Sequence, residues 1–153
     1  MEEREFNIWA ATVGEIILGF GTIECWTRYL VEISTGDEGY VHQASSLQGR
    51  IDRTISLLTE EPHCTLARKY DRKRLICALQ SEKDFIQLRN DIAHNPLELD
   101  SAGLTIYCPD ATEATGDVTY KRTYALDGLV AERAKLNILL KEVRQMQEES
   151  NNL

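Results

Sequence analysis

The stretch Glu82-Lys-Asp-Phe-Ile-Gln-Leu-Arg-Asn-Asp-Ile-Ala-His-Asn-Pro96 organises the reading of this chain. Phe85, Leu88 and Ile92 keep helical spacing. Pro96 drives Asn95 out of the α region, which predicts a helix stop near His94. Arg89 and His94, with four residues between them, are thereby placed about one turn apart at a helix C-terminus. Asn90, also one turn before His94, falls on the same side and could orient the imidazole. An arginine and a histidine in this position have an ordinary structural use, capping carbonyls and pairing with Asp91 or Asp100. They also have a chemical one.

Working outward, the chain of 153 residues is expected to fold as one domain over residues 1–153, with 42% apolar residues supplying a single core. From Glu5 to Ile33, Phe6, Trp9, Val13, Ile16, Phe20, Ile23 and Leu30 mark a long amphipathic helix. Gly14, Gly19 and Gly21 lie inside it, each costing about 1 kcal/mol relative to alanine. Close approach of another helix would account for them; so would a kink or break near Gly19-Phe20-Gly21. Glu24, at the edge of the stripe, points either to a polar pocket or to solvent. Ser34 to Gly39 reads as a loop, and Val41, Ala44, Leu47, Ile51, Ile55 and Leu58 mark a second helix. Pro62 favours a new start, after which about thirty residues from Cys64 to His94 read as helix with room for a bend.

Beyond Pro96 the pattern changes. Leu104–Cys108 and Val118–Tyr124 are rich in β-branched and aromatic residues and predict a two-stranded hairpin, an insertion at about 99–125. A last helix starts near Asp127 and carries Leu129, Leu136, Leu140 and Val143 on one face. The expected fold is all-α: a four-to-five-helix up-down bundle with a small β-hairpin inserted before the last helix.

Arg89, Asn90 and His94 closely resemble the motif of the HEPN family (higher eukaryotes and prokaryotes nucleotide-binding domain). That family carries an arginine, usually a polar residue directly after it, and a histidine after four to six intervening residues, within an all-α bundle. The resemblance covers most of the chain as architecture but only about six positions as motif. It implies a metal-independent endoribonuclease whose paired motifs meet at a homodimer interface and leave a 2′,3′-cyclic phosphate. It also implies a role as a toxin or host-defence effector, for which an antitoxin or regulatory protein is a candidate partner.

The residue chemistry is compatible. RNA carries its own nucleophile in the 2′-hydroxyl, so cleavage needs a base, an acid and positive charge on the phosphate. Histidine serves as base or acid near neutrality, and a helix C-terminus favours its protonated form. The arginine fork suits two phosphate oxygens. Acid and base are usually two groups, whereas His94 alone of the three histidines has such a setting. A two-fold dimer formed around residues 85–96 would supply the second. The competing expectation is a non-catalytic HEPN-like module that binds a nucleotide, RNA or protein and keeps the motif as a dimer lock. A third is a purely structural helical adaptor.

Net charge is −8, which argues against a general basic coat for nucleic acid but leaves room for a local groove. Arg68, Arg72 and Lys73, with Lys121 and Arg122 on the hairpin, are candidate RNA-backbone contacts. A solvated face neutralising Glu60, Glu61 and Asp71 is the simpler reading of the first group. Tyr107, Tyr120 and Tyr124 suit stacking on unpaired bases or covering a core edge. Cys25, Cys64, Cys77 and Cys108 are far apart, without the spacing of a metal site or a disulfide framework. No metal and no cofactor are expected. With no uncharged apolar run of about 18 residues and an acidic start, neither membrane insertion nor export is expected. The sequence thus reads as a cytoplasmic protein.

Overall fold

The computed structural model describes residues 3–35, 46–95, 97–100, 103–108 and 120–152. The chain is mostly helical, with a small antiparallel sheet before the final helix. The helices are α1 (Glu3–Thr35), α2 (Leu47–Glu60), α3 (Thr65–Lys69), α4 (Arg72–Lys83), α5 (Ile86–His94) and α6 (Leu126–Asn151). Strands β1 (Leu97–Asp100), β2 (Gly103–Cys108) and β3 (Tyr120–Tyr124) form one sheet in the order β1-β2-β3. The expected hairpin is therefore the β2–β3 pair, and a third strand precedes it. Leu97-Glu-Leu-Asp100 has no β-branched residue; it becomes a strand by pairing with β2, Leu97 opposite Ile106 and Leu99 opposite Leu104. The start of the expected second helix at Val41–Ala44, and the loop read between the hairpin strands, lie outside the described residues.

α1 runs without a break through Gly19-Phe20-Gly21. Among the described residues, a Cβ built on Gly14 or Gly21 would meet nothing within 4 Å, so no described part of the chain packs closely on either glycine. Glu24 sits at the edge of the buried face, 17% exposed, with its carboxylate 3.8 Å from Arg28. By length and composition α1 is able to cross a membrane: its Glu3–Ser34 portion has an 18-residue window of mean hydropathy 1.4, 33% of it buried within the chain. Buried core helices have the same character.

The long third helix of the sequence reading is three helices instead. Tyr70 is extended and buried, and the Asp71 side chain accepts from the Arg74 amide 2.9 Å away, so Asp71 caps a new helix, α4. A second interruption falls at Asp84-Phe85, where the Phe85 amide turns back to the Glu82 carbonyl and the ring packs 6.4 Å from Phe20. In α2, Ser46 supplies the N-cap through its hydroxyl to the Gly49 amide, 3.0 Å.

Two compact units divide the chain, one from residues 1–19 and 87–136, the other from 20–86 and 137–153. The first buries Trp9, Ile16, Leu88, Ile92, Leu104, Ile106, Leu129 and Leu136. The second buries Phe20, Ile23, Trp26, Leu30, Ile51, Leu58, Leu75, Leu79 and Val143 among others, each worth about 1.5–3 kcal/mol of removal from water. There, Arg74 spans Glu142 and Glu149 at 2.9 and 2.7 Å. These groups are exposed to water, which screens the link and leaves it weak.

Candidate functional site

The site is built on α5 in the first unit. As the sequence reading expects, the helix ends at His94. Asn95 completes that end: its side-chain amide donates to the carbonyls of Asp91 and Asn90 at 3.1 and 3.3 Å, satisfying groups the helix leaves open. His94 is thus left exposed at the tip, free of any capping duty, and Asn90 is exposed beside it.

One guanidinium nitrogen holds the motif together. Arg89 Nη1 lies 2.7 Å from His94 Nε2 and 2.9 Å from Asn90 Oδ1. Arginine has no acceptor atom, so the contact with the imidazole is a hydrogen bond only if Nε2 presents its lone pair. That is the tautomer with its proton on Nδ1. Asn90 differs from its expected role. Its oxygen takes the Arg89 fork rather than the imidazole, so it orients the arginine, and the arginine in turn orients the histidine.

Asp91, a candidate partner for Arg89 or His94, is used elsewhere. It is 2% exposed. Its Oδ2 accepts from Arg122 Nη1 at 2.7 Å and from the Tyr124 hydroxyl at 2.9 Å, and its Oδ1 from Gln87 Nε2 at 2.7 Å. A buried carboxylate so supplied fixes α5 to β3 directly behind the motif. This anchor escaped the sequence reading, because its partners lie 31 and 33 residues downstream. Burial, followed by the hydrogen bond to Asp91 and its charge, pushes the Tyr124 phenol up to about 12.

The remaining candidates are spread more widely. Arg122 belongs to the Asp91 anchor, and Lys121 lies beside it on β3 with its side chain outside the described residues. Tyr107 donates to Glu98 across β1 and β2. Arg68, Arg72 and Lys73 are exposed on α3 and α4 of the other unit, where Arg68 Nε also donates to the His63 carbonyl at 3.2 Å. Among the described residues, no three His, Cys, Asp or Glu side chains come together as a metal site would need. No family model, no curated protein and no solved structure matches this chain.

Proposed function

We propose that this chain is a metal-independent endoribonuclease of HEPN type, acting as a cytoplasmic homodimer with Arg89, Asn90 and His94 at the cleft. The observation that carries the reading is the Arg89–His94 contact of 2.7 Å at an exposed helix end. A neutral imidazole is the form that accepts a proton, and the guanidinium beside it is the group that holds phosphate.

In the proposed reaction the RNA phosphate draws the Arg89 fork onto two of its oxygens, which releases the Nε2 lone pair. His94 takes the proton of the 2′-hydroxyl, the 2′-oxygen bonds to phosphorus, and the bond to the 5′-oxygen breaks. The leaving oxygen receives its proton from His94 of the second copy, which enters the step as the imidazolium and leaves it neutral. The products are a 2′,3′-cyclic phosphate and a 5′-hydroxyl. Asn90 keeps the arginine aimed along this path.

Purified protein incubated with end-labelled RNA in EDTA tests the proposal. Cyclic-phosphate ends are expected from the unaltered chain and absent from both Arg89→Ala and His94→Ala, with folding checked by circular dichroism. Because one histidine is half a site, mixing the two inactive variants is expected to restore little cleavage. Equal behaviour of the unaltered chain and His94→Ala overturns the enzyme reading. RNA or nucleotide binding without cleavage would favour the non-catalytic module instead.

A further inference from the structure

The second unit carries a cavity of about 390 Å³ between the end of α1 and the turn that joins α2 to α3. Its volume falls within the range of small-molecule sites. Leu57 and Pro62 supply apolar wall, while Glu61, His63, Thr65 and Arg68 supply polar groups. Arg68 is exposed yet not loose. Its Nε donates to the His63 carbonyl at 3.2 Å and its amide to the Cys64 carbonyl at 3.2 Å, so side chain and backbone are both tied to the turn. With Nε occupied, the end of the guanidinium presents its two Nη atoms, and among the described residues neither has a partner. The His63 ring, the Thr65 hydroxyl and the Glu61 carboxylate are likewise without a partner among the described residues.

A guanidinium fork, an imidazole and a hydroxyl on one cavity make a donor set for an oxyanion. The fork takes two oxygens, which is all a carboxylate has; a phosphate keeps another for His63 or Thr65. Glu61 repels a bare anion, and in a chain of net charge −8 no overall field offsets that repulsion. The same carboxylate accepts hydrogen bonds from hydroxyl groups. A ligand with phosphate at one end and hydroxyls at the other satisfies both demands, its carbon skeleton lying against Leu57 and Pro62. An RNA strand fits less well, because its neighbouring phosphates bring further charge toward Glu61.

We infer that this cavity binds a sugar phosphate, with the phosphate held by Arg68, His63 and Thr65 and a hydroxyl held by Glu61. The tether from Arg68 to the His63 carbonyl sets the fork in place before the ligand arrives, which lowers the cost of ordering it. The site shares no residue with the motif on α5 and does not depend on the activity proposed for it.

Titration of the full chain with ribose 5-phosphate, followed through the histidine ring resonances by NMR at fixed pH and ionic strength, tests the site. The His63 signal, assigned with His63→Gln, is expected to shift saturably, with half-saturation at about 1 mM or below. Inorganic phosphate is expected to bind about tenfold more weakly, and ribose to cause no shift. Arg68→Gln should weaken ribose 5-phosphate about tenfold or more. Arg72→Gln, exposed on α4 and outside the cavity lining, should leave it within about twofold. No saturable His63 shift by about 20 mM ligand overturns the proposal, as do equal losses in Arg68→Gln and Arg72→Gln. Equal affinity for ribose 5-phosphate and inorganic phosphate overturns it too, and so does a response of His94 alone, which would assign the phosphate to the α5 motif. A chain that fails to cleave RNA but passes the His63 titration would lose the ribonuclease reading and keep this site.

Discussion

Arg122 and Asp91 form an ion pair of 2.7 Å in which the carboxylate is almost wholly buried and the guanidinium about one-third exposed. The pair joins the helix carrying the motif to the strand that follows it by 31 residues. Replacing Arg122 by Ala leaves the Asp91 charge buried without its guanidinium. The expected loss is about 3 kcal/mol, the lower end for a broken buried pair because Arg122 is partly solvated. Urea denaturation measures it, and a loss below about 0.5 kcal/mol, typical of surface substitutions, would show that Arg122 is merely a surface charge.

Tyr124 provides a spectroscopic check on the same cluster. Its phenol is held up to about 12, against an ordinary 10, by burial and by the Asp91 carboxylate it donates to. A group raised in the folded state contributes stability that is complete below its unfolded value and fades as pH climbs through the folded one. The advantage of the unaltered chain over Tyr124→Phe is therefore expected to shrink between pH 10 and about 12. Burial raises the Tyr70 phenol as well, so absorbance at the tyrosinate band should show late-titrating tyrosines, of which the component near 12 vanishes in Tyr124→Phe.

Glu82 is expected to behave in the opposite sense to a salt-bridged acid. It is 1% exposed, neither carboxyl oxygen has a hydrogen-bond partner among the described residues, and desolvation raises it well above the usual carboxylate range despite the nearby Arg50 charge. Stability from the neutral carboxyl is present at acid pH and is lost as pH rises from the unfolded value toward the raised one. Glu82→Gln, which cannot ionise, should flatten that slope and gain over the unaltered chain at pH 8 relative to pH 5. Unfolding midpoints at the two pH values measure the difference, and parallel slopes would disprove it.

Gly103 admits no side chain. Its φ of +139° is a conformation L residues rarely adopt, and a Cβ there would come within 2.5 Å of the Tyr124 carbonyl oxygen in the facing strand. Gly103→Ala is expected to cost about 1–3 kcal/mol and to loosen the end of β2 first. Amide exchange along β2 and β3 would register the loss; unchanged protection would mean the strands had shifted to accommodate the methyl.

The sequence by itself determined the helix end at His94, because proline at 96 acts on its neighbour through local sterics alone. It likewise determined the helical character of α1, α2 and α6 and the strand character of β2 and β3, through periodicity and β-branched residues. Tertiary structure decided what periodicity cannot see. Leu97–Asp100 is a strand because a partner strand satisfies its backbone, and the helix read from Cys64 onward stops at Tyr70 because that residue is buried in extended form while Asp71 caps the next turn. The same holds at the motif. Sequence places Arg89, Asn90 and His94 together, but only the folded chain sends Asp91 to Arg122 and Tyr124 and sets Arg89 against the imidazole and Asn90. Spacing along a helix sets which residues are near one another; burial and distant partners set which of them bond.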